Sequence, residues 1–192
     1  LAHEINQPLT AAMNYTQAAM RMLSANAGDV ERASRAMGKS VDQIERVGRI
    51  INGLRDFMRK GELTLAAVDI ATTFEDALRL VNAEATAAGV DIQASDLGGL
   101  PRVLADKTQL VQVLVNLMRN AIQALSAAAT REPAIEVAAI TKGAVLELTV
   151  SDNGPGLDEA VAGHLFEPFV TTKESGMGLG LSISKSIVEA HG

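Results

Sequence analysis

Residues 33–60 read ASRAMGKSVDQIERVGRIINGLRDFMRK, and in them Ala33, Met37, Ser40, Ile44, Val47, Ile51, Leu54 and Met58 recur at alternating steps of four and three. That stepping keeps one row of side chains on a single helix face for nearly four heptads, the most regular period in the chain. It predicts a helix that opens after Asp29, a residue suited to the N-cap, with Glu31 in its first turn, and that breaks at Lys60-Gly61-Glu62. Toward the N-terminus, Asn26-Ala27-Gly28 supplies turn residues, and before them Ile5, Leu9, Ala12, Thr16, Ala19 and Leu23 repeat the same stepping. Two helices joined by so short a turn make an antiparallel hairpin. One apolar stripe per helix buries too little surface to offset the chain entropy, so a partner is implied. The simplest is a second copy, giving a dimeric four-helix bundle about a two-fold axis; the alternative is packing against the rest of the chain.

The whole chain has 192 residues, of which 47% are hydrophobic and 21% charged, a globular balance that excludes wholesale disorder. No apolar run approaches the ~18 residues a membrane span needs, so no direct membrane contact is expected of this segment. With no cysteine there is no disulfide framework, thiolate metal site or cysteine nucleophile. Aromatic residues make up only 3% and the net charge is −6, both of which argue against a nucleic-acid partner. The charge is divided: residues 1–60 carry nine Lys/Arg against six Asp/Glu, and residues 61–192 eight against seventeen. This suggests two domains, 1–60 and 61–192. The opening at Leu1 rather than Met suggests a piece of a longer protein.

Just before the first seam stands His3-Glu4-Ile5-Asn6-Gln7-Pro8-Leu9. With Ile5 on the seam, His3 falls about 200° around the helix and faces solvent. Glu4 is adjacent and Gln7, four residues on, shares its face. Pro8 has no N–H for the carbonyl of Glu4, so a bend is expected there. A zinc-protease pattern would need His where Gln7 stands, and that reading fails.

Beyond residue 61 the period changes. Residues 65–70 and 90–96 read as short strands flanking a helix over 71–87, and 101–106 as another strand. A long helix follows from Asp106, a good N-cap, to about Ala128, with Leu110, Val113, Leu114, Leu117, Ala121 and Leu125 on one face. Asn116 and Asn120 share another face. Half-buried amides on so apolar a helix need partners, which a polar ligand would supply, although two exposed asparagines would look the same. Alternation in Ala134–Ile140 and Val145–Val150 around Lys142-Gly143 predicts a hairpin that runs into Asp152-Asn153-Gly154-Pro155-Gly156. The carboxylate of Asp152 only accepts hydrogen bonds, and the glycines let backbone approach a flat ligand; an adenine amino group fits that acceptor, whereas a guanine carbonyl does not. A plain Gly-Pro turn is the alternative. Leu165-Phe166-Glu167-Pro168-Phe169-Val170-Thr171-Thr172-Lys173 reads as a lid, and Gly176-Met177-Gly178-Leu179-Gly180-Leu181 opens a helix whose N–H groups suit phosphate. It is neither a P-loop nor a dinucleotide fingerprint.

Taken in order, H-E-I-N-Q-P-L, N-L-M-R-N-A, D-N-G-P-G, F-E-P-F-V-T-T-K and G-M-G-L-G-L resemble the H, N, G1, F and G2 boxes of two-component sensor histidine kinases. The resemblance covers essentially the whole chain, and the first box is similar to that of the subgroup with nitrogen-regulation and oxygen-sensing kinases. It implies an α+β architecture: the hairpin as dimerisation and histidine-phosphotransfer domain, then an α/β sandwich ATP-binding domain of the histidine kinase, gyrase and chaperone type, incomplete at its C-terminus. It also implies roles. His3 would attack the γ-phosphorus of ATP and pass the phosphoryl group to an aspartate of a response regulator, with Glu4 polarising the imidazole. Asn120 would be the ligand of Mg2+, and Asn116 would support the phosphates. Asp152 would take the adenine amine in a pocket shaped by Gly154 and Gly156. Phe169, Thr171, Thr172, Lys173, Gly176, Gly178, Gly180 and Leu181 would belong to the lid and phosphate loop.

Two departures qualify what the resemblance implies. Relatives that also dephosphorylate their regulators often carry Thr or Asn where Gln7 stands, and relatives usually continue past Ala190-His191-Gly192 into closing strands. The related ATPases of the chaperone, gyrase and mismatch-repair group place a general-base Glu where Asn116 stands, which disfavours water activation, and they have no use for a heptad hairpin with His3. A dimeric scaffold that binds nucleotide without turnover is the other rival. A cytoplasmic location is implied by the need for ATP and a regulator.

Overall fold

A computed structural model describes the chain except residues 1, 26–28, 59–62, 96, 158–161, 169 and 172–177, and describes the backbone alone at 2–4, 25, 49 and 52–58. The chain divides into two compact units, one within residues 1–60 and one formed by residues 61–171 and 178–192.

The first unit is a pair of helices, α1 (Ala2–Ala25) and α2 (Val30–Met58), as the heptads predict. Asp29 supplies the carbonyl that accepts the N–H of Ala33, the first intrahelical bond of α2. Pro8 lies inside α1 and is buried. The predicted seam splits into two rows. Ala12 and Ala19 of α1 meet Ala33, Ser40, Val47 and Ile50 of α2 in the buried seam. The hydroxyls of Thr16 and Ser40 lie 2.9 Å apart there, and both reach the carbonyl of Ala12. Of the other predicted seam positions, Leu9, Leu23, Met37, Ile44 and Ile51 are 40–56% exposed, and Met13, Met20 and Val41, outside the predicted seam, join them at 54–64%. The physical reason is geometric: in a two-helix hairpin each helix turns only half of an a/d stripe toward its neighbour, and the small residues occupy that half.

The second unit runs β1 (Ala66–Val68), α3 (Ile70–Ala88), β2 (Asp91–Ser95), β3 (Val103–Ala105), α4 (Lys107–Ala127), β4 (Ala134–Lys142), β5 (Val145–Asp152) and α5 (Gly180–Ala190). β1 and β3 form a small antiparallel ribbon, so the strand expected over 101–106 pairs with the domain entry rather than with the main sheet. The main sheet is mixed, in the order β2-β4-β5, with β2 parallel and β5 antiparallel to β4. Caps delimit the helices. The Asp69 side chain accepts the N–H of Thr72 at the start of α3, and Gly89 closes that helix in the left-handed region at φ 66°. Asp106 accepts the N–H groups of Thr108 and Gln109 at the start of α4, as its sequence position predicts.

The core lies between helices and sheet. Phe74, Ala77 and Val81 of α3 and Leu114, Met118 and Leu125 of α4 pack on Ile135, Val137 and Ala139 of β4. Of the face predicted for α4, Val113, Leu114, Ala121 and Leu125 are buried, while Leu110 and Leu117 are only half-buried; Met118 and Ile122 complete it. The buried stripe thus sits slightly rotated from the predicted one, toward the sheet. Strand register then decides which way the β5 residues point. Asp152, Val150 and Leu148 pair with Ile135, Val137 and Ala139, so Asp152 continues the helix-facing side of the sheet at its end.

Candidate functional site

Two elements of the second unit, α5 and β5, converge on α4. Near its middle, Asn116 and Asn120 are half-buried one turn apart. The Nδ2 of Asn116 donates to the hydroxyl of Ser184 on α5 at 2.8 Å, and Ser184 is itself buried. Gly180, the first residue of α5, lies against the same amide: a Cβ there would stand 2.3 Å from Asn116 Oδ1 and 3.0 Å from its Cγ and Nδ2. Only glycine leaves room for that approach. Leu179, 2% exposed, anchors the turn, and no side chain caps the first N–H groups of α5. Those groups and the positive end of the helix suit an anion. Gly178 just before them is at φ 64°, and Leu181 is half-buried.

At the C-terminal end of α4, β5 delivers Asp152. Its Oδ1 accepts the N–H of Gly154 at 2.9 Å and the residue is otherwise open to solvent. A Cβ on Gly154 would stand 2.6 Å from that oxygen and 3.5 Å from Leu125 Cδ2, so the loop lies flat against the apolar end of α4. Gly156 is at φ 80°, a left-handed conformation that favours glycine. Asn153, which sequence reasoning passed over, holds this loop in place. Its Oδ1 accepts the N–H of Ala134 and its Nδ2 donates to the carbonyl of Glu132, each at 2.9 Å. The signal for it lay in the amide placed between Asp152 and Gly154, a residue type that bonds readily to nearby backbone. Ser184 carried no signal in sequence, because a serine on an amphipathic helix reads as solvent-facing.

Leu125 at one cluster and Asn116 at the other are nine residues apart on α4, about 14 Å at 1.5 Å per residue, with Asn120 between them. An acceptor beside a flat floor at one end and helix N–H groups at the other match a ligand with a planar donor head and an anionic tail. A concavity of about 420 Å³ lies at the sheet end that carries Asp152, but its lining residues Gln93, Glu136 and Ser151 are in register on the sheet face opposite to the helix-facing one, so it is not the space between Asp152 and α4. A larger one, about 580 Å³, lies between the C-terminal ends of α3 and α4 and touches Leu125 but none of the predicted residues.

Thr171 is described and exposed. Phe166 of the expected lid is exposed, and the Lys185 ammonium of α5 sits 5.6 Å from the centre of its ring. Phe169, Thr172, Lys173 and Gly176 lie outside the described residues. In the first unit Gln7 is exposed on α1, and His3 and Glu4 are on the same helix, their side chains outside the described residues. Among the described residues no three His, Asp or Glu side chains converge on a metal position, and no helix is long and apolar enough to cross a membrane.

Comparison with known proteins agrees with this layout. Residues 1–63 match the His Kinase A (phospho-acceptor) domain, and residues 105–192 match the histidine kinase-, DNA gyrase B-, and HSP90-like ATPase family. The sensor protein FixL of Bradyrhizobium diazoefficiens is 40% identical over 193 residues, which cover 100% of this chain and 38% of that protein. The chain therefore spans well under half the length of that relative. Among solved structures, the catalytic domain of histidine kinase ThkA is 30% identical at a TM-score of 0.57, covering 68% of this chain and 82% of that one. The complex of histidine kinase ThkA with response regulator protein TrrA matches at a TM-score of 0.77 and 25% identity, covering 99% of this chain and 53% of that one.

Proposed function

Because the chain belongs to the histidine kinase family, joining a phospho-acceptor hairpin to an ATP-binding α/β domain as two-component sensor kinases do, we propose that it phosphorylates its own His3 from ATP and passes the phosphoryl group on. The observation that carries this reading is the pair of clusters about 14 Å apart on α4. Asp152 accepts the adenine amino group, Gly154 and Gly156 form the floor beside it, and Asn116, Gly178, Gly180 and Leu181 shape the phosphate end. The same reading assigns Phe169, Thr171, Thr172, Lys173 and Gly176 to the lid and phosphate loop. Asn120 would hold Mg2+, since its amide oxygen is suited to a hard cation. Such an ion supplies charge neutralisation at the phosphates when bound.

A ring nitrogen of neutral His3 forms a bond to the γ-phosphorus as the bond from that phosphorus to the β,γ-bridging oxygen breaks, and ADP leaves. Glu4 accepts the other ring N–H and stabilises the developing imidazolium. The phosphoryl group then moves to an aspartate carboxylate of a response regulator, which regenerates His3. That partner class is supported by the kinase and regulator complex among the matched structures. Gln7, exposed four residues after His3, is the group placed to orient a water. The apolar row left open on α1 and α2 supports a homodimer closed into a four-helix bundle. ATP and the regulator place this chemistry in the cytoplasm. The domains act as residues 1–60, which carry the acceptor, and 61–192, which carry the nucleotide.

The test is transfer from γ-labelled ATP with magnesium. The expected product is an acid-labile, alkali-stable label on the chain that His3→Gln abolishes. Nucleotide binding without label would leave a scaffold, and steady phosphate release independent of His3 would mean an ATPase.

A further inference from the structure

The imidazole of His191, which ends α5, lies between two backbone groups far apart in sequence. Its Nε2 is 2.9 Å from the N–H of Asp106, and its Nδ1 is 2.7 Å from the carbonyl of Ile187. A backbone N–H only donates and a carbonyl only accepts, so the ring is neutral and carries its proton on Nδ1. Each contact answers a local need. Ile187 is in the last turn of α5, where a carbonyl lacks an intrahelical donor, and the ring supplies one. Asp106 is the N-cap of α4; its carboxylate takes the N–H groups of Thr108 and Gln109, and its other oxygen takes that of Thr64 at the domain entry, which leaves its own N–H to the ring.

At the opposite end of the same pair, Gly180 lies against Asn116, and Ser184 holds the Asn116 amide. Helix α5 therefore runs antiparallel along α4 with a polar fastening at each end, the two being about 15 Å apart. We propose that His191 is a positioning residue: as the Nδ1–H imidazole it ties the C-terminal end of α5 to the N-cap of α4 and so sets the approach of Gly180 to Asn116 at the phosphate end. The consequence for phosphate rests on the nucleotide reading above; the fastening itself does not.

Two measurements separate these parts. Long-range proton–nitrogen NMR of the unsubstituted chain identifies the tautomer of His191, with Nδ1–H expected; an Nε2–H ring overturns the proposal, whether or not the chain binds nucleotide. In binding titrations with ATP, His191→Phe keeps the ring volume and removes both hydrogen bonds, and is expected to weaken binding about three- to tenfold. His191→Gln, an amide able to accept from Asp106 and donate to Ile187, is expected to recover most of that loss. Unchanged affinity in a folded His191→Phe, or no recovery in His191→Gln, overturns the proposal. If His191→Phe does not fold, the tautomer and the affinity of His191→Gln decide. A chain that binds no ATP while His191 is the Nδ1–H tautomer refutes the nucleotide reading and leaves the fastening in place.

Discussion

At the scale of single residues, two glycines govern the site because of what a methyl group would displace. Gly180→Ala drives a Cβ into the Asn116 amide, which is held by Ser184 and can yield only by giving up that bond. We expect roughly tenfold weaker ATP binding, about 1.4 kcal/mol by calorimetric titration, together with a lower melting temperature, because the displaced amide leaves the buried Ser184 hydroxyl without its partner. Gly154→Ala meets Asp152 Oδ1 instead and is expected to weaken binding at the adenine end. Sequence showed these residues as a pattern of glycines and amides, and the family resemblance lent them roles. It did not show their contacts. That Asn116 leans on Ser184 depends on how α4 and α5 are rotated against each other, which neither helix's own periodicity determines.

Among the elements, helix α4 carries most of the site and is fastened at its start. Asp106→Ala removes the acceptor for Thr108, Gln109 and Thr64 together, so a loss of about 1–2 kcal/mol is expected in urea unfolding. Between α3 and α4, the hydrogen bond from Lys107 and then that from Arg79 hold the Asp76 carboxyl below its ordinary value of 3.8. A carboxyl with a lowered folded value contributes stability above its unfolded value and loses it as pH falls through the folded one. Asp76→Asn is therefore expected to melt below the parent at about pH 7, and the gap to narrow progressively as the pH falls below 3.8, in thermal scans across that range. Helix and strand identities were legible because periods of 3.6 and 2 leave distinct marks. The α1–α2 seam was legible only as one row, since spacing reveals that residues share a face but not which of two neighbours covers each. The pairing of β1 with β3 was hidden because three-residue strands carry too little pattern to name a partner.

For the whole molecule, the uncovered row of Leu9, Met13, Met20, Leu23, Met37, Val41, Ile44 and Ile51 sets the expected assembly. Sedimentation equilibrium at micromolar concentration should give a dimer, and the pair Met37→Lys with Ile44→Lys should give a monomer of unchanged helix content. The mixed sheet has a consequence for how the chain reaches this state. The hairpins α1–α2 and β4–β5 close short loops, but β2 meets β4 in parallel only after the chain between Ser95 and Ala134, with all of α4, has been laid down. Bringing such distant strands together sacrifices chain freedom before any pairing compensates for it, and that ordering slows the event. Refolding from denaturant should thus be led by a fast helical signal from the first unit, with closure of the β2–β4 ladder as the late step. Until that step is complete, the loop of Asp152 has no Ala134 strand end to rest on, so competence to bind should arrive last.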